Sequence, residues 1–189
     1  MLYKSIILFL SLLFCGVRCG DGKICNSISM TMSPVGKAQT FFNCTAVDGN
    51  VVLSIIDMNG AVSFPHLREI SGFLVLYRLR NLTTLAQLFP QLTVIRGLAT
   101  HDSYALVIFD LPDLQDMALP NLRRIYRGGI RVESAPKLCY YRSVNFSAIL
   151  SPGYKTNFHN VPDKTLCRDV CPGDWKKEEA SDRTKIVYK

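Results

Sequence analysis

The chain has 189 residues, 48% hydrophobic and 20% charged, with seven cysteines and a formal charge of +7. That length holds one globular domain with at most a tail, and the apolar fraction excludes a disordered chain. It also excludes a receptor-sized ectodomain joined to a kinase. The basic residues are scattered along the sequence without a recognised nucleic-acid motif, so no nucleic-acid partner is expected.

Lys4 precedes an uncharged run, SIILFLSLLF, which continues through Cys15-Gly16-Val17 to a total of 13 residues. A membrane-spanning helix needs about 20 apolar residues, whereas the core of a secretory signal needs roughly 7–15. Val17 and Cys19 are small enough for the third and first positions before cleavage at Gly20. Residues 1–19 therefore read as a signal peptide. No later segment approaches membrane length, so the mature chain is expected to be secreted. Loss of Lys4 and Arg18 lowers the formal charge from +7 to +5, and loss of Cys15 and Cys19 leaves Cys25, Cys44, Cys139, Cys167 and Cys171. Three N-x-[ST] sequons, at Asn43, Asn81 and Asn145, read as glycan acceptors on the surface of a secreted protein.

The stretch before Cys44 reads as a short helix capping an open core. From residue 64 one phrase, apolar-Pro-x-Leu-x-x-Ile, occurs three times: Phe64 to Ile70, Phe89 to Ile95 and Leu119 to Ile125. Each copy is followed by glycine (Gly72, Gly97, Gly128-Gly129), then by a strand-like run: Phe73–Tyr77, Tyr104–Phe109 and Ile130–Val132. An earlier partial copy is Asp48-Gly49 with Val51–Ile55. Copies spaced by 25 and 30 residues are the signature of a solenoid. Proline opens each coil where no ladder donor is needed, leucine and isoleucine point inward, and glycine turns the corner. One coil cannot bury its apolar face alone, but a stack can. Val144–Leu150 has apolar residues at helical spacing and reads as a second cap, ended by Pro152-Gly153. Residues 174–189, ending KKEEASDRTKIVYK, read as a disordered polar tail.

The run Leu88–Gly97 with Tyr104–Phe109 strongly resembles the first receptor L domain of the insulin-receptor family. So do Ser63-Phe64-Pro65, Arg127-Gly128, Arg131-Val132-Glu133, Leu138-Cys139-Tyr140 and the end Cys167-Arg168-Asp169-Val170-Cys171-Pro172-Gly173. The resemblance runs from about Cys25 to Gly173 and sets the expected L domain at residues 20–173. It implies a mainly β fold, a right-handed parallel β-helix or leucine-rich-repeat-like solenoid with short capping helices. It further implies disulfides Cys25–Cys44 and Cys139–Cys167, and a Cys171 that opens a cysteine-rich region. No cysteine follows Cys171 here, so it is expected to be unpaired in a receptor chain cut at a domain boundary.

In that family an insulin-like peptide hormone lies across one sheet face of this domain. Strand alternation turns Ile130 and Val132 inward and Arg131 and Glu133 outward, and the resemblance puts Val75, Tyr77 and Val107 on the same outer face. The positions matching the family's contact set are Thr31, Val52, Ser54, Ile55, Asp57, Tyr77, Thr100, His101, Asp102, Ser103, Tyr104, Val107, Asp110, Arg131 and Glu133. Thr31 stands where an arginine is expected, Ser54 and Asp57 where apolar groups are, and His101-Asp102 where two aromatic anchors are. The expected function is a hormone-binding module of, or derived from, a receptor tyrosine kinase ectodomain, at the cell surface if part of a longer receptor. A free-standing secreted decoy that sequesters insulin-like peptides, or pairs with receptor ectodomains, is the alternative. A β-helix enzyme would need carboxylates stacked at equivalent positions on adjacent coils, and Asp57, Asp102 and Asp110 do not match in position. No H-E-x-x-H, G-x-S-x-G or P-loop is present, and no enzyme, cofactor or metal site is expected; Cys167 and Cys171 with His159 read less well as metal ligands than as disulfide cysteines.

Overall fold

A coil that carries the apolar-Pro-x-Leu-x-x-Ile phrase buries its leucine and isoleucine only when a copy lies on either side. The computed structural model of the chain describes residues 22–32, 41–59, 62–163 and 167. It meets that need with a parallel β-solenoid of about five turns. The expected signal peptide, residues 33–40 of the expected N-terminal cap, Cys171 and the tail at 174–189 lie outside the described residues.

Among the described residues the strands are β1 (Lys23–Thr31), β2 (Cys44–Asp57), β3 (Glu69–Ile70), β4 (Leu74–Arg80), β5 (Val94–Ile95), β6 (Tyr104–Phe109), β7 (Arg124–Ile125), β8 (Gly129–Glu133) and β9 (Thr156–His159). Each pairs in parallel with its neighbour one coil away. Two faces result. A short-strand face joins the first part of β2 to β3, β5 and β7. A long-strand face joins β1, the second part of β2, β4, β6, β8 and β9. The last of these strands was not foreseen from the sequence, where nothing past Gly153 repeats the phrase.

The register explains the core. On the long-strand face Ile28, Val51, Leu74, Leu106 and Ile130 stand in one inward row, and Met30, Leu53, Leu76, Ile108 and Val132 in the next. All ten are at most 1% exposed. The short-strand face adds Val47, Ile70, Ile95 and Ile125. Phe64 and Phe89, the residues before the two prolines, stack at 5.3 Å between ring centroids and close the third side. Full burial of one such side chain contributes about 1.5–3 kcal/mol, so the inward rows carry most of the stability.

One corner of every coil has a backbone signature that the sequence hides. Met32, Ile55, Arg78, Asp110, Ser134 and Asn160 have φ of 63°, 55°, 52°, 56°, 59° and 50°. Each directly follows the registered row Thr31, Ser54, Tyr77, Phe109, Glu133 and His159. A left-handed residue thus sits at the same corner of successive coils, and none is glycine. The opposite corner uses glycine as expected. Gly97 has φ of +66°, and a Cβ there would lie 2.0 Å from the Arg127 carbonyl oxygen of the next coil.

The ends are tied by disulfides Cys25–Cys44 and Cys139–Cys167, with Cα atoms 5.8 and 5.4 Å apart. These are the pairings the resemblance implies. Between the last coils and a helical turn at Phe146–Ile149, the expected second cap, lies an apolar hollow of about 470 Å³ bordered by Met117, Leu122 and Phe146.

Gly97→Ala is expected to lower stability by about 2–3 kcal/mol, because backbone must shift and φ is already left-handed. Urea unfolding checks it; a midpoint equal to the parent's would show that the corner can open freely. A second expectation concerns pH. The Asp113 carboxyl is held below its ordinary range first by a hydrogen bond from Lys137 Nζ (2.8 Å) and then by the Asn81 backbone N–H (3.0 Å). A lowered folded pKa gives a contribution that is present above the unfolded value of ~3.9 and lost as pH falls through the folded one. Asp113→Asn should therefore flatten the acid limb of stability and leave the shape of the neutral region unchanged.

Candidate functional site

The parallel ladder that aligns the core also aligns the outside of the long-strand face. One outward row is Ser29, Val52, Val75, Val107, Arg131 and Asn157; the other is Thr31, Ser54, Tyr77, Phe109, Glu133 and His159. Across the face the chemistry changes from polar to apolar and back. Thr31 Oγ1 and Ser54 Oγ share a hydrogen bond of 2.8 Å at one margin. Tyr77 and Phe109 stack in the middle, 5.4 Å apart. Val75 and Val107 beside them form a floor only 8% and 6% exposed.

On the far margin Arg131 donates from Nη2 to Glu133 Oε2 at 2.6 Å. That hydrogen bond is the first cause raising the Arg131 pKa. The same guanidinium lies 6.0 Å from the centre of the Tyr104 ring, and Asn157 Nδ2 donates to the Tyr104 hydroxyl at 3.3 Å. At the left-handed corner Arg78 lies 5.1 Å from the Tyr77 ring centre and pairs with Asp110 at 3.2 Å. A buried apolar centre with a polar, solvated rim is the layout of a protein-binding patch.

The structure thus brings Thr31, Val52, Ser54, Tyr77, Val107, Arg131 and Glu133 together on one face. Ile55 and Asp110 belong to the left-handed corner instead, where with Met32, Asp57, Arg78 and Arg80 they border a hollow of about 530 Å³. Tyr104 opens β6 at the edge of the face. His101 and Asp102 lie in a hairpin: His101 and Tyr104 exchange two backbone hydrogen bonds of 2.8 Å. Asp102 and Ser103 both have positive φ, the mark of a type I′ turn. This hairpin lengthens the link between β5 and β6, which is shorter between β3 and β4. It presents His101 beside Phe73, 5.8 Å away.

Phe109 is a residue of this face that the sequence reading left out of the candidate site. The alternation that turns Val107 outward also turns Phe109 outward, so the signal was present. Asn43, Asn81 and Asn145 are exposed. Among the described residues no group of three or more histidines, cysteines or acids could hold a metal, and Cys167 is consumed by its disulfide.

The stacked solenoid with a patterned outer sheet defines a binding domain. The sequence model described as Receptor L domain matches residues 43–150. An insulin-like peptide receptor of Branchiostoma lanceolatum is 37% identical over 160 residues, covering 82% of this chain and 12% of that protein. An insulin-like receptor of Drosophila melanogaster is 37% identical over 150 residues, 76% of this chain and 7% of that protein. An insulin receptor of Xenopus laevis is 33% identical over 189 residues, 96% of this chain and 14% of that protein. The chain belongs to the receptor L domain family, as an L domain of the insulin-receptor kind. It spans only a small part of the length of the relatives it matches.

Ile55 is 42% exposed, β-branched and left-handed, a combination that costs about 1–2 kcal/mol in backbone strain. Ile55→Asn, which suits that backbone, is expected to raise stability by about 1 kcal/mol. Denaturant midpoints at unchanged slope would read it; a lower midpoint would show that the isoleucine packs in solution.

Proposed function

We propose that this chain is the hormone-binding L domain of an insulin-receptor-like protein and captures an insulin-like peptide on the outer face of its long-strand sheet. The observation that carries this reading is the stacked Tyr77–Phe109 pair over a valine floor, rimmed by Thr31–Ser54 on one side and Arg131–Glu133 on the other. Aromatic side chains at the centre of a patch and charged groups at its edge are where binding energy and orientation come from. A relative named as an insulin-like peptide receptor supports the ligand class.

The domain works outside the cell in this reading. Two disulfides fit an oxidising compartment, and the first 19 residues read as a secretory signal. Asn43, Asn81 and Asn145 serve as glycan acceptors; none stands in either outward row, so glycans leave the face open. Its role is binding. Any kinase activity belongs to other parts of a receptor.

The altered groups set the strength. Ser54 and the His101-Asp102 hairpin offer no aromatic anchor, so the apolar centre is narrow and capture by this domain alone is weak. Titration of the purified chain with insulin-like peptides of its source organism should give micromolar binding. Tyr77→Ala with Phe109→Ala should weaken it at least tenfold, since each central aromatic is worth about 2 kcal/mol or more. Absence of binding at micromolar peptide would remove autonomous capture, and binding indifferent to the double substitution would move the site elsewhere.

A further inference from the structure

The arginines that look scattered in the sequence converge in the fold. Hydrogen bonds between coils place Arg68, Thr93 and Arg123 in one row of the short-strand face: Thr93 N donates to Arg68 O at 2.8 Å and Arg123 N to Thr93 O at 2.9 Å. The adjacent row is Glu69, Val94 and Arg124. Arg96 and Tyr126 follow directly on the paired Ile95 and Ile125. Arg127 then lies against Gly97, its carbonyl oxygen in van der Waals reach of that glycine.

Five arginines therefore share this face with two acids: Glu69, which is hydrogen-bonded to Arg96, and Asp48 at the β2 margin, which accepts from Ser71 Oγ at 3.1 Å. Arg68, Arg123, Arg124 and Arg127 are exposed, and among the described residues none of them has an ion-pair partner. Three cations elsewhere differ. Arg78, Arg131 and Lys137 are each paired with a carboxylate.

Arg68 stands two coils from Arg123 and Arg124, about 10 Å away at the usual strand spacing, with Thr93 and Val94 between them, while Arg123, Arg124 and Arg127 crowd one coil and repel one another. They are tolerated because the inward Ile70, Ile95 and Ile125 fix the register. The face thus holds preformed positive charge on the β3 and β7 coils, densest at β7, with Tyr126, half exposed, as its aromatic surface. It lacks what peptide recognition needs. Ala46 and Val94 are the apolar side chains in these rows, and the two hollows described above lie elsewhere. All the cations are arginines, whose planar forks match the oxygens of a sulfate or carboxylate two at a time. In an oxidising, disulfide-forming setting, the repeating polyanion with that chemistry is a sulfated polysaccharide.

We propose that the short-strand face of this domain binds a sulfated polysaccharide through Arg68, Arg123, Arg124 and Arg127, with Tyr126 packing against a sugar ring. The site lies on a different face from the hormone site, so both can be occupied together. A bound polyanion would hold the domain at a sulfated matrix while the long-strand face stays open.

Titration of the purified chain with a heparin oligosaccharide at rising salt tests this. Binding is expected at ~0.15 M salt, with the logarithm of affinity falling linearly with the logarithm of salt concentration, as for other polyelectrolytes. Arg68→Ser, Arg123→Ser and Arg124→Ser together should cost at least tenfold. Arg80→Ser, Lys137→Ser and Arg142→Ser together remove the same charge from other surfaces and should cost less than threefold. Replacing the first three arginines by lysine keeps the charge and the fold but loses the fork, and should still weaken binding measurably. Equal losses in the two serine variants, no binding at ~0.15 M salt, or poly-glutamate binding as tightly as heparin would each overturn the proposal. The peptide titration reads the long-strand face separately, so failure here leaves the hormone reading standing, and the reverse also holds.

Discussion

The structure depends on one constraint: each coil must place its apolar side chains in register with those of the coil beside it. A single turn has too little interior to bury Leu74 and Leu76, or Ile95, against itself. Stacking solves this by making each row of the core a line of equivalent residues, as in Ile28, Val51, Leu74, Leu106 and Ile130. Parallel pairing follows, because every coil must present the same side in the same direction. A one-residue slip would turn a whole inward row outward. Register is therefore the most strongly specified property of the molecule.

The outer surfaces inherit that register without contributing to its cost. Once the inward rows are locked, the outward side chain of each strand has a set position whatever its identity. Tyr77 and Phe109 meet because Leu76 and Ile108 do. The basic rows arise in the same way, from Ile70, Ile95 and Ile125. Surface chemistry can then vary from coil to coil with little penalty.

The repeat made the core legible before the structure. Proline, leucine, isoleucine and glycine recur at matching offsets, and their burial follows from elementary geometry. Alternation also placed Arg131 and Glu133 correctly, and applied one residue pair further it would have included Phe109. Three things were not legible. The left-handed corner is one, because Met32, Ile55, Arg78, Asp110 and Ser134 share no chemistry and only inter-coil hydrogen bonding compels their φ. The separation of Ile55 and Asp110 from the sheet face follows from that corner. The basic face is the third: residues 25 to 30 positions apart in sequence become neighbours only when the coil lengths are known. Coil lengths differ, owing to the hairpin at His101–Tyr104, and no constant period would have aligned the arginines.

The left-handed corner and the apolar patch meet at Ile55 and Arg78, and their coincidence has a physical basis. Strain of this kind persists only where the surroundings over-determine the backbone, and the registered core supplies that rigidity. The same strain turns the chain sharply after Ser54 and Tyr77, so that Ile55 projects from the rim, and Arg78 folds back over the Tyr77 ring. A relaxed corner would lose that projection and flatten the margin of the patch. The stability stored in buried leucines and isoleucines is thus what holds an exposed β-branched side chain in a costly backbone conformation, at the edge of the aromatic patch.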